Sequence, residues 1–313
     1  MTTGTQGPRA GTQGPRRILA LLELAEESPT TDELAEFLTD PDAGVRRTAL
    51  TVLSEAAEEW DEPSAVFAAA LSDPDAAVRR TAVELLGELR EVLVIGERFN
   101  GALREASRSE DADVRVAAVG ALWRHRLCTT EELAALLPDS VETVRCEVVL
   151  GLVSLDALDV LGEAAGDPAP AVRLAVARGL GSVGDPRGAT TLTVLAEDTD
   201  VLVRAAALSA MAHTGCAEQA TAVAAAALTD AAWQVRQGAA TALSVADPQE
   251  AVAELIAATR DTNLDVRKAA VRALGSRLPG RPDIRTALEA ALGDADADVR
   301  AFARMSLAAS DAE

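Results

Sequence analysis

The sequence predicts an all-α solenoid of about nine stacked helix pairs. Three observations predict it: a dipeptide at nine regularly spaced positions, residues at fixed offsets around it, and a core composition suited to close helix contact. Val-Arg occurs at Val45, Val78, Val114, Val144, Val172, Val203, Val235, Val266 and Val299, with successive intervals of 33, 36, 30, 28, 31, 32, 31 and 33 residues. Self-similarity at this period is the signature of a repeat architecture. An Asp stands five residues before the Val in eight copies (Asp40, Asp73, Asp139, Asp167, Asp198, Asp230, Asp261, Asp294), and only the third copy differs, with Ser109. Eight residues after each Val stands Leu or, once, Met211. The chain is 49% hydrophobic with four Phe, three Trp and no Tyr, so its core is built from Ala, Leu and Val.

Each unit reads as a short helix, a turn such as Asp40-Pro41-Asp42, and a second helix beginning near the Val-Arg. Asp accepts the orphan N–H groups of a helix start, and Pro fits the first turn. At 100° per residue, positions +4, +7 and +8 fall on one stripe with the Val, and +4 is Ala in seven copies. The Arg after the Val lies at the stripe's edge, where a buried guanidinium needs carboxylate partners. A ladder of Arg–Asp contacts between turns is therefore expected. Residues 1–15, with GTQGPR twice, read as a tail without fixed structure. Residues 16–29 supply a capping helix over the first repeat, and 30–313 form the solenoid. The long interval from Val78 to Val114 is expected to lengthen or kink the first helix of the third repeat around Gly96 and Gly101.

The pattern D-P-D-x-x-V-R-x-x-A-x-x-x-L resembles HEAT repeats, in particular the short HEAT-like repeats of phycobilisome lyase subunits, over roughly residues 30 to 309. That resemblance implies a superhelix and admits several functions: scaffold or adaptor, bilin-lyase accessory subunit, deoxyhypusine hydroxylase, or alkylpurine DNA glycosylase. The hydroxylases carry His-Glu pairs for two irons, and no His-Glu dipeptide occurs here. Fifty acidic residues against twenty-nine basic give a net charge of −21, which opposes nucleic-acid binding.

The only two histidines share a spacing with cysteine, His125 to Cys128 and His213 to Cys216. Together they compose a zinc-type ligand set, but three layers at about 9 Å each keep them too far apart to share an ion. No catalytic constellation, metal or cofactor site is expected. Three irregularly spaced cysteines, no apolar run of membrane-spanning length and an N-terminus without an uninterrupted apolar segment point to a cytoplasmic protein.

By the resemblance, positions +2, +6 and +9 line the concave face. The charged residues there are Arg47, Arg80, Arg178, Lys268 and Arg272 against Glu84 alone, so the ridge reads as locally basic. Position +13 adds Glu58, Glu91 and Asp185 and nearly restores neutrality. Trp123, at +9, is either a binding anchor or a filler beside the irregular third repeat; Trp60 and Trp233 are assigned to packing. The reading is a non-enzymatic scaffold that holds an acidic or helical protein segment with Arg47, Arg80, Trp123, Arg178, Lys268 and Arg272. A lyase-type accessory subunit is the alternative, and DNA-lesion binding ranks last.

Overall fold

The computed structural model describes residues 13–215, 217–245, 252–276 and 281–310, which are helical throughout apart from connecting turns. The chain divides into two compact units, one ending at Gly151 and the other beginning at Leu152. The first unit contains α1 (Gln13–Ala25), α2 (Thr31–Leu38), α3 (Ala43–Ala56), α4 (Asp61–Ala70), α5 (Ala76–Glu88), α6 (Glu97–Ala106), α7 (Ala112–Arg124), α8 (Thr130–Ala134) and most of α9 (Glu142–Ser154). The second contains α10 (Leu158–Ala164), α11 (Pro170–Val183), a 3-10 turn (Pro186–Gly188), α12 (Ala189–Leu195), α13 (Val201–Met211), α14 (Ala217–Ala227), α15 (Trp233–Ala242), α16 (Val252–Ala258), α17 (Leu264–Gly275), α18 (Pro282–Ala291) and α19 (Ala297–Ser310).

Within each unit the Val-Arg helices pack on one another in chain order: α1 on α3, α3 on α5 and α5 on α7, then α11 through α19 by odd numbers. The preceding helices form a second layer, with α4 on α6, α12 on α14 and α16 on α18. The repeat's fixed positions explain this. Every repeat Val is buried to 1% exposure or less, and so is every +4 Ala. A methyl at +4 lets backbones close up, while Val and Leu each contribute about 1.5–3 kcal/mol by leaving water. One apolar cluster runs through the first unit from Leu21 of α1 to Leu122 of α7.

The turns carry the predicted ladder. In each rung the Arg Nη1 donates to the carbonyl oxygen of its own repeat's turn residue, as Arg46 does to Asp40 O at 2.6 Å. The rest of the guanidinium reaches the Asp of the next repeat: Arg46 Nε and Nη2 donate to Asp73 at 2.8 and 2.7 Å, and Arg173 to Asp198 at 2.6 and 2.7 Å. Arg115–Asp139, Arg236–Asp261 and Arg267–Asp294 repeat that two-bond geometry. The same Asp accepts the N–H two residues on, as Asp73 does from Asp75 at 2.8 Å, which shapes the turn. A second Asp or Asn then caps the helix: Asp42, Asp75, Asp200 and Asn263 each accept two backbone N–H groups.

Two departures have clear causes. Ser109 has no carboxylate, so Arg79 reaches past it to the cap residue Asp111, at 3.1 and 2.9 Å. In the long interval the extra residues enter the connection before α6 rather than the helix. The Val94 N–H donates to the buried Ser64 hydroxyl at 2.9 Å, and Gly96 sits at the N-cap of α6. The helix expected at 16–29 is α1, and it lies in the Val-Arg layer. Arg17 pairs with Asp40 as a ladder arginine would. Residues 1–12 of the expected tail lie outside the described residues.

Candidate functional site

The ladder leaves one face of the second helices free. Position +1 is tied into the turns, and 0, +4 and +8 are largely buried, so the surface open to a partner centres on −1, +2, +6 and +9, with +3 and +10 beside them. In the first unit this face holds a cleft of about 470 Å3 over α5 and α7. Its floor is Val83, Leu86, Val116 and Ala117, and its rim carries Arg80, Glu84, Asp113 and Arg124. Gly87 lines it too, and an added methyl there would project into open space, meeting no atom within 4 Å.

Among the predicted residues of this unit, Arg47 and Arg80 are exposed and form no ion pair among the described residues. They share position +2 on neighbouring helices, an interaxial step of about 8–10 Å. Trp123 sits differently from an outward anchor. It is half-buried, its indole N–H donates to Glu147 Oε1 at 2.8 Å, and the Arg124 guanidinium stacks 4.5 Å from its ring while bonding Glu147 at 2.9 Å. Gly151 makes the room, because a Cβ there would stand 3.1 Å from Trp123.

In the second unit Arg178 and Arg272 are exposed and free of ion pairs among the described residues, with Arg272 stacked on Phe302 at 5.5 Å. Lys268 is engaged: its ammonium donates to Asp298 at 2.8 Å and lies 3.7 Å from Asp296. The expected basic ridge is thus partly neutralised. Position −1, at 260° from the Val, lies on the same arc as +6; counting it brings in Asp113 beside Arg80 and Asp298 on Lys268. Trp233, expected in packing, is instead 37% exposed at the first position of α15, whereas Trp60 packs on the first unit's core.

His125 lies edge-on to Phe99 with ring centroids 5.9 Å apart. Burial, reinforced by Arg124, pushes its pKa down, so the imidazole is neutral at pH 7. Burial and then Glu132 push the Cys128 thiol up, away from the nucleophilic thiolate. Cys216 lies outside the described residues. No three His, Cys, Asp or Glu residues among those described gather as a metal site. No described helix is long and apolar enough to cross a membrane.

The HEAT-repeat family matches residues 31–97, 130–212, 158–244 and 220–308, most of the chain. The chain is a HEAT-repeat protein. Between these matches the family leaves residues 98–129 uncovered, a stretch that contains Ser109 and follows the long connection. Structural relatives of this HEAT-repeat chain include an engineered protein with 20% identity and a TM-score of 0.58, covering 98% of this chain and 97% of that one. YibA of Escherichia coli matches over 100% of both chains at 13% identity and a TM-score of 0.54. Kap121p has 15% identity and a TM-score of 0.52, and the match covers 97% of this chain but 40% of Kap121p. At these identities the likeness shows the fold alone. No curated protein matches the sequence significantly.

Proposed function

We propose that this protein is a non-enzymatic interaction scaffold whose free helix face receives an acidic segment of a protein partner. HEAT-repeat solenoids commonly serve as such scaffolds. One contrast carries the reading. The ladder arginines at +1 are bonded on several sides, whereas Arg47, Arg80, Arg178 and Arg272, at +2 and +6, are exposed without an ion pair among the described residues. A net charge of −21 gives these guanidiniums a large choice of carboxylates in their own chain, yet they make no ion pair among the described residues. Arg47 and Arg80, about 8–10 Å apart by helix spacing, match carboxylates at i and i+7 of a partner helix.

The test is affinity purification of the tagged protein against a variant with Arg47→Glu, Arg80→Glu and Arg178→Glu. All three side chains are exposed, so the fold is retained. A partner that co-purifies with the intact protein and is lost from the variant supports the assignment. A partner retained by both places binding elsewhere on the protein and removes the guanidinium face from the proposal.

A further inference from the structure

A groove of about 620 Å3 runs across α11, α13 and α15 in the second unit. It exists because these helices touch almost backbone to backbone. A Cβ on Gly181 would lie 2.7 Å from the Ala210 Cβ, and one on Gly238 would lie 2.6 Å from the Ala205 oxygen. The floor is accordingly alanine and the walls are low.

The lining departs from the rest of the chain. With 50 acidic residues in 313, a lining of this size would ordinarily include one or two, yet its described lining holds no carboxylate. Arg178 is its one permanent charge. The Ser182 and Ser209 hydroxyls are turned inward onto Gly179 O and Ala205 O, which leaves Arg178, His213, Gln234 and Gln237 as outward polar side chains. Leu202, on the rim, is 53% exposed, and Trp233 beside Gln234 is 37% exposed. Other repeats put small or charged residues here, such as Gly44, Ala77 and Asp113 in the place of Leu202.

We infer that this groove binds a protein segment bearing a carboxylate close to a large apolar side chain. The carboxylate meets Arg178, the apolar side chain lies on the alanine floor against Leu202, and the two glutamines bond the segment's backbone. Charge complementarity decides the occupant: an anion finds one unpaired guanidinium and no described carboxylate to repel it. A free Arg is among the side chains that carry most binding energy at interfaces. The inference rests on the scaffold reading and narrows it to one groove.

The probe is a phage-displayed library of random 12-residue peptides, panned on the full chain. Enriched peptides are synthesised and titrated by fluorescence anisotropy. They are expected to hold Asp or Glu within four residues of Leu, Met, Phe or Trp. Arg178→Glu and Leu202→Asp should each weaken them by about tenfold or more, while Arg108→Glu, at an exposed position of the first unit outside either surface, leaves them unchanged. Leu202 is the second residue of α13, where a carboxylate favours the helix, so Leu202→Asp removes the contact without harming the fold. Peptides weakened only by Arg47→Glu/Arg80→Glu overturn the groove and leave the scaffold intact. Basic or uncharged peptides also overturn it, and an unenriched library counts against both readings.

Discussion

Replacing Asp198 by alanine removes three bonds at once. The carboxylate accepts Arg173 Nε and Nη2 at 2.6 and 2.7 Å, and it accepts the Asp200 N–H at 2.8 Å. All of these groups are shielded, with side-chain exposures of 13% for Arg173 and 9% for Asp198. A charge-assisted bond in such surroundings is worth about 1.5–3 kcal/mol when one partner is removed, and a neutral turn bond about 0.5–1.5. Allowing for the solvent that still reaches the pair, the loss should be about 3 kcal/mol. Asp198→Asn keeps an oxygen for Asp200 and a weaker acceptor for Arg173, so it should cost about 1 kcal/mol. Urea unfolding followed by far-UV circular dichroism measures both. Repeat proteins are held by nearest-neighbour interfaces, so the alanine variant should also show a lower m-value as the transition divides at the broken rung. A cost below about 1 kcal/mol for alanine, or equal costs for alanine and asparagine, would refute the ladder as a source of stability.

Four further outcomes follow from the same structure. Asp111, Asp139, Asp198, Asp261 and Asp294 are held below the usual carboxylate range by their arginine partners, against the opposing effect of burial. A depressed folded pKa gives stability that is present above the unfolded value of about 3.9 and lost as pH falls through the folded one. The melting temperature should therefore be flat from about pH 7 to 5 and fall steeply below about pH 4. Leu208→Ala, at a fully buried position of α13, should cost about 2–5 kcal/mol in urea unfolding. Gly238→Ala drives a methyl to within 2.6 Å of the Ala205 carbonyl and should cost about 1–3 kcal/mol. Gly87→Ala meets nothing within 4 Å on α5 and should stabilise by about 0.5–1 kcal/mol, and a thermal melt separates the two glycines by sign.

The residues that made the fold legible and those that obscured the site differ in what constrains them. Val at 0, Arg at +1, Ala at +4 and Leu at +8 recur because each neighbour contact imposes the same demand on every repeat, so their spacing could be read without coordinates. The ladder was legible for that reason, down to its failure at Ser109. What periodicity missed was the replacement, because only the folded turn shows that Asp111 lies within Arg79's reach. Arg17 escaped for a related reason: α1 belongs to the same layer, but Arg16 stands where the repeat would have Val, and no Asp precedes it at the repeat's spacing. The free face was read less well. Its charge balance changed once position −1 was counted, an omission of helical geometry that the sequence alone could have corrected. Trp123 is another matter, since its N–H is satisfied by Glu147 on the next Val-Arg helix, a pairing no periodicity within α7 encodes. Positions −1, +2, +6 and +9 vary from repeat to repeat because no neighbouring helix dictates them. A side chain such as Leu202, large and apolar where Gly44, Ala77 and Asp113 stand in other repeats, is therefore not dictated by the stack, and that asymmetry directs the search for a partner to the groove between α11 and α15.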